Sequence, residues 1–250
     1  MKHSFIDKYG SLKSPIHRLD PRAKIITLFS FLFIVVFTPI TLAPKFLFYG
    51  TLLIALILIS KVPISFVLKR SLVILPFVGL VAIGLPFMGN GGGSLSLGIF
   101  TINQSATLIF LNVLVKSWLC VLAMIALTST TPFSRLLNGF QRLKMPTVFV
   151  MILSFMYRFV FILEDELYRM VRARDARTFK PSWSRSLKTA GNMIGTLFIR
   201  SYERGERIYV AMRSRGYQGK IKLTRELKMN GYDISFMTAF LLILVLVAVV

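Results

Sequence analysis

Residues 209–218 read "YVAMRSRGYQ", and residues 168–177 carry a near copy, "YRMVRARDAR". Aligned on their tyrosines, both place an arginine, a small residue and a second arginine at the same spacing: Arg172-Ala173-Arg174 and Arg213-Ser214-Arg215. A helical pattern runs up to each copy. In the first, Phe149, Leu153, Met156, Val160, Leu163, Leu167 and Val171 recur at alternating steps of four and three. In the second, Trp183, Leu187, Ala190, Ile194, Leu197, Ser201, Ile208 and Met212 do nearly the same, with Gly205 filling one rung. Such a stripe marks one face of an amphipathic helix. The next rung is Arg174 in the first helix and Arg215 in the second, so each stripe ends on a guanidinium. Pro146 and Ser182 are start signals, and Gly216 suits a left-handed stop. A cation at a helix carboxyl end gains only about 0.3–1 kcal/mol. Two copies in register point instead to a pair of plugs for acidic grooves on a partner, for which the planar guanidinium is suited.

The rest of the chain says where these helices work. Its 250 residues are 55% hydrophobic with a formal charge of +21, and the mean hydropathy is +0.69. That composition is of an integral membrane protein. There is no acidic residue between Asp20 and Glu164, and no charge of either sign over residues 71–115. Hydrocarbon imposes this segregation, because a charge buried in it costs several kcal/mol. The single cysteine, Cys120, lies in an apolar run, which excludes an internal disulfide and suits a small core side chain.

About 20 helical residues cross a bilayer. Residues 25–43, 46–60, 72–88, 104–128 and 234–250 are the candidate spans, with 42–45 an interfacial turn and "VPISFVLKRS", 62–71, a short interfacial helix. The external loop "GNGGGSLSLG", 89–98, is expected to be a flexible turn. Basic residues concentrate in residues 1–24, 61–70 and 132–231, which the positive-inside bias assigns to the cytoplasm. The expected organisation is therefore all-α: a cytoplasmic amino-terminal segment (1–24), four spans (25–130), a coupling domain of two long helices (131–231), and a fifth span (232–250). Residues 146–163 are apolar enough to cross as well. Crossing would put Arg158 in hydrocarbon and the arginine-rich tail outside, so they are read as a helix buried partly against the other spans and partly at the membrane surface.

"SPIHRLDPRAKI", 14–25, resembles the amino-terminal signature of the T components of energy-coupling factor transporters, and the paired helix ends resemble that family's two Ala-Arg-Gly motifs. "FIDKYGSLKSPIHRLDPRAKI", 5–25, is similar to the CbiQ branch, which serves cobalt or nickel uptake. The resemblance spans the chain. It implies a non-catalytic subunit of the cytoplasmic membrane, bound to two CbiO-like ATP-binding-cassette ATPases and to a substrate-capturing S component that is CbiM-like, with a CbiN-like companion. ATP belongs to the ATPases, and no cofactor is implied on this chain. The coupling residues it implies are Ala173, Arg174 and Asp175 at one end and Ser214, Arg215 and Gly216 at the other. Asp175 stands where the family has Gly, and Ser214 where it often has Ala.

Other residues carry weaker signals. Lys116 falls mid-span with Asn112 one turn earlier; no acidic residue in any span can pair with it, so carbonyls, Asn112, lipid phosphate or a partner must. Lys116 and Asn112 are the candidate contacts to the S component. "GNMIG", 191–195, is a small-xxx-small pattern that would permit a close helix crossing. His3 and His17 lack the clustered partners of a metal site. His17 is expected to help fix the start of the first span. Glu164, Asp165, Glu166, Glu203 and Glu206 sit among arginines and read as ion pairs rather than acid–base catalysts. A membrane-protein biogenesis factor with an RNA-binding basic hairpin is the competing class, and it would show steeply salt-dependent binding; the CbiQ-like reading includes no nucleic acid. With Cys120→Ser as background, a cysteine placed at Lys180 is expected to react with impermeant maleimide only from the cytoplasmic side. Reaction from outside would make residues 146–163 a span.

Overall fold

The computed structural model describes residues 9–10, 12, 14–39, 43–73, 75–82, 94–97, 100–177, 182–219 and 229–249. They form two compact units, Met1–Leu143 with Glu226–Val250, and Lys144–Arg225.

The first unit begins with a four-residue helix, α1 (Pro15–Arg18), and α2 (Pro21–Phe37). Both start on proline behind a polar cap: Ser14 Oγ accepts the His17 N–H, and Asp20 Oδ1 accepts the Arg22 N–H at 2.9 Å. α2 stops at Phe37 because Pro39 biases Thr38 toward extended backbone, and Thr38 takes it up. There follow α3 (Ala43–Ile59), α4 (Ile64–Leu72), α5 (Leu75–Ala82), α6 (Gln104–Thr130), α7 (Phe133–Arg142) and, after the second unit, α10 (Gly231–Val249). Among the described residues the architecture is all-α apart from one small hairpin. Part of the loop expected to be a flexible turn is a strand, β1 (Ser94–Leu97), paired antiparallel with β2 (Phe100–Asn103), Leu97 opposite Phe100. The rest of that loop lies outside the described residues. Ala43, Pro44 and Lys45, assigned from sequence to an interfacial turn, already belong to the first turn of α3.

α2 is the centre of this unit. Ile25, Phe31 and Val35 of α2 pack with Tyr49 and Leu53 of α3, Leu119, Leu122 and Ala123 of α6, and Phe240 and Leu244 of α10. The outer surface is as apolar as the core: Phe33, Phe37, Leu47, Phe77, Leu80 and Leu242 are all more than half exposed. Polar groups, in contrast, are inside, and among the buried residues are Ser14, His17, Asp20, Lys24, Thr130, Thr131 and Asp233. Apolar side chains out and hydrogen-bonded polar ones in is the arrangement a bilayer selects. Leu108–Thr130, Thr147–Asp175 and Gly231–Ala248 are long and apolar enough to cross a membrane, while Pro44–Ile59 is shorter. The 17-residue α2 and α3 lie at the short end of the crossing range.

Several of the buried polar residues form a knot at the starts of α2 and α10 and the end of α6. Asp233 Oδ1 accepts the Asp20 N–H at 2.9 Å and Oδ2 accepts the Asn230 N–H at 2.8 Å, joining the start of α10 to the start of α2. Lys24, just ahead of the first apolar run, donates to the Thr130 carbonyl at 3.2 Å and Thr131 Oγ1 at 3.0 Å, joining α2 to the end of α6. Burial, with the nearby Arg135 charge, lowers the Lys24 pKa to about 8. The His17 ring bridges Ser14 Oγ at 2.7 Å and the Tyr9 carbonyl at 3.0 Å, so it ties α1 to the segment before it rather than holding the start of the first span directly. α7 lies against the same end of α2, where a Cβ on Gly139 would stand 2.9 Å from Ile25 Cδ1 and 3.1 Å from Pro21 Cβ. Asp233→Ala leaves the Asp20 N–H without its charged acceptor and is expected to destabilise the chain by about 3 kcal/mol. Thermal unfolding of the detergent-purified chain checks this, and an unchanged Tm would exclude the knot as a structural anchor.

Candidate coupling site

The second unit is a pair of long helices, α8 (Thr147–Asp175) and α9 (Trp183–Ser214), with Pro146 and Ser182 at their caps as the sequence indicates. Two contacts set their register. Arg200 donates to Glu166 Oε1 at 2.5 Å, and the Tyr217 hydroxyl, just past α9, donates to Met151 Sδ near the start of α8. Residues before Glu166 thus meet residues after Arg200, so the helices are antiparallel. At 1.5 Å per residue, Arg174 lies roughly 12 Å beyond the Glu166–Arg200 level and Arg215 roughly 22 Å beyond it in the opposite direction. The two arginine ends stand about 34 Å apart along the pair.

The ends are built differently. Met212, Arg213, Gly216 and Tyr217 close α9 with a paired set of backbone bonds: the Tyr217 N–H donates to the Met212 carbonyl at 3.1 Å and the Gly216 N–H to the Arg213 carbonyl at 3.0 Å. Gly216 has φ +81°, the left-handed stop expected of it. Arg215 is therefore the last residue before the reversal. Its backbone N–H donates to the Met212 carbonyl at 3.0 Å, while its side chain is exposed and among the described residues has no hydrogen bond or ion pair. α8 has no such stop. It continues through Asp175 to a right-handed Ala176, whose N–H donates to the Arg172 carbonyl. Arg174 folds onto its neighbour, Nε and Nη2 donating to Asp175 Oδ1 at 2.9 and 2.7 Å, with a third of its side chain exposed. The two equivalent plugs expected from sequence are thus two accessible but unequal ones. Ala173 and Ser214 are both exposed beside them, Ser214 Oγ turned back onto the Val210 carbonyl.

Two further expectations change. A Cβ at Gly191 or Gly195 meets no described atom within 4 Å, so "GNMIG" is an open surface and not a close crossing. The less exposed face of α9 runs through Ser186, Ala190, Met193, Leu197, Ser201, Arg204, Ile208 and Met212. It coincides with the sequence stripe from Leu197 onward and is rotated by one residue before it, leaving Trp183, Leu187 and Ile194 exposed. On α8, Phe149, Met156 and Val160 are likewise exposed while Leu153, Leu163 and Val171 are partly covered. Of the acidic residues, Glu166 and Glu203 form the expected ion pairs: Glu166 with Arg200 and, at 3.8 Å, Arg169; Glu203 with Arg207 at 3.8 Å. The Arg200 hydrogen bond holds the Glu166 carboxyl below the usual range.

In the first unit Lys116 Nζ donates to the Val36 carbonyl at 2.7 Å. Val36 is in the last turn of α2, where carbonyls lack intrahelical donors, so a backbone carbonyl is the partner that the sequence left open. Asn112 is not that partner. Its Oδ1 is buried without a hydrogen bond, and the residue lines a cavity of about 440 Å³ between α3 and α6. Sequence reasoning missed Tyr217 and Asp233; the one available hint was a lone acid preceding the last apolar run.

The described residues thus make a helical membrane protein whose two longest helices each end on an accessible arginine. The comparisons with known proteins agree. The family profile described as "CbiQ: Cobalt transport protein" matches residues 12–226. The chain is 31% identical over 227 residues to an "Energy-coupling factor transporter transmembrane protein EcfT" of Limosilactobacillus fermentum, covering 85% of this chain and 83% of that one. It is 29% identical over 240 residues to an uncharacterized protein of Methanocaldococcus jannaschii (93% and 82% covered). It is also 29% identical over 238 residues to a "Putative fused cobalt transport protein CbiMQ" of Methanocorpusculum labreanum, covering 90% of this chain but 39% of the fused protein. The chain belongs to the CbiQ cobalt transport protein family and is an energy-coupling factor type transmembrane component. Because Glu166 holds its carboxylate on Arg200, the pair's contribution is full above pH 4.5 and fades as pH falls through the lowered Glu166 value. Glu166→Gln is expected to reproduce that loss at neutral pH, read as faster proteolytic cleavage in α8 and α9; unchanged cleavage would deny the pair a role in joining them.

Proposed function

We propose that this chain is the coupling subunit of an ATP-driven importer, joining two ABC ATPases to a substrate-binding S component, with cobalt or nickel as cargo. The carrying observation is the antiparallel pair itself, which sets one exposed arginine at each of two ends about 34 Å apart. Two ends suit two motor subunits, one for each. ATP binding would draw the ATPases together, and α8 and α9 would convert that approach into a change of angle between them. The S component would feel it through the membrane-embedded unit, with Lys116 and Asn112 as candidate contacts.

The residues divide the labour. Arg174 and Arg215 insert into acidic grooves. Ala173 and Ser214, being small, let each groove approach the helix backbone, and Gly216 frees the space beyond Arg215 by turning the chain away. The chain hydrolyses nothing and needs no cofactor of its own; ATP is bound by its partners. In this reading the amino terminus and both helix ends face the cytoplasm, and the apolar half of α8 lies along the membrane surface, its exposed Val148, Phe149 and Ile152 against lipid or the S component.

Co-purification with the ATPase pair tests this. Loss of a buried, charge-assisted contact costs about 2–5 kcal/mol, so the double variant Arg174→Ala/Arg215→Ala is expected to lose nearly all retained ATPase while keeping the wild-type Tm. Undiminished retention by the double variant would remove the proposed mechanism.

A further inference from the structure

The two arginine ends are unequal, and the inequality has a specific chemical source. Both donors that Arg174 directs sideways, Nε and Nη2, are taken up by Asp175 Oδ1, 59% of whose side chain is exposed at the extreme end of α8. At the other end the corresponding position is Gly216, which carries no side chain and leads the backbone away. Any acidic group that captures Arg174 must therefore first displace a carboxylate already there, and must approach a second negative charge as it does so. A carboxylate is also unfavourable at a helix carboxyl end, so the helix itself gains nothing from it.

We propose that Asp175 is an intramolecular stand-in for the partner's acidic group, which makes the α8 end the weaker and more readily released docking point and the α9 end the standing one. This rests on the ATPase-coupling reading above. The transducer would then remain attached through Arg215 while the Arg174 contact forms and breaks, giving one motor subunit a fixed grip and the other a conditional one.

The experiment compares five detergent-purified full-length chains: wild type, Arg174→Ala, Arg215→Ala, Asp175→Asn, and Arg215→Ala/Asp175→Asn. Two readouts are taken, ATPase retention and the rate at which phenylglyoxal modifies Arg174, followed by peptide mass spectrometry in the chain alone. Removing one exposed ion pair should speed Arg174 modification and, in the Arg215→Ala background, raise ATPase retention about two- to fivefold. Arg215→Ala alone should lose more ATPase than Arg174→Ala. Unchanged modification, or retention that falls on Asp175→Asn, would overturn the stand-in role, the latter because Asp175 would itself be a docking contact. Absence of retention by the wild type would count against the coupling reading and leave the modification rate to decide on Asp175.

Discussion

One carboxylate, Asp233, accepts a backbone N–H from Asp20 across 213 positions of sequence, and the membrane unit is organised around that bond. Its second oxygen holds Asn230 at the head of α10. On the other side of the same α2 turn, Lys24 grips the end of α6. Three helices are thereby pinned at one level. In a bilayer, helices gain little from burying apolar surface against one another, since lipid is as apolar as leucine. Hydrogen bonds among buried polar groups, with close packing, then decide which helices are neighbours. The polar amino-terminal signature 14–25 supplies most of that knot, which explains why a membrane protein would carry so polar a sequence on buried residues.

The second unit follows different rules. α8 and α9 run 29 and 32 residues, far longer than their shared contact requires, and the described links between them include an ion pair and a tyrosine–methionine contact. Two stiff rods held at a few points can change their mutual angle by giving up those contacts alone, without unpacking a core. Their ends travel furthest when they do, and the ends are where the arginines stand. A close glycine-lined crossing would have locked the angle; the open surface at Gly191 and Gly195 does not.

Much of this was legible in the sequence, for identifiable reasons. The charge-free run 71–115 and the stripes ending on Arg174 and Arg215 report physical periodicities, and the helices α6, α8, α9 and α10 match them closely. Gly216 declared its left-handed turn because few other residues tolerate one. What escaped notice depends on partners. Asp233 is invisible as an anchor in the sequence because its mate lies at the other end of the chain. The Gly191–Gly195 pattern permits an approach but does not supply the neighbour. The phase of the α9 stripe slipped before Leu197 because Trp183, Leu187 and Ile194 are apolar yet exposed, as lipid or a partner allows. The pairing of Arg174 with Asp175 needed side-chain coordinates, since adjacent helical residues do not ordinarily face one another.

The most direct measurement is residue-specific crosslinking in the assembled complex. In a Cys120→Ser background, a photoreactive group is carried by a single cysteine at position 174 or position 215. Each position is expected to capture an ATPase chain, with capture at the exposed Tyr202, near the middle of the pair, absent. Capture of ATPase from Tyr202 but from neither end would contradict the account, because the helix ends would then not be where the motor takes hold.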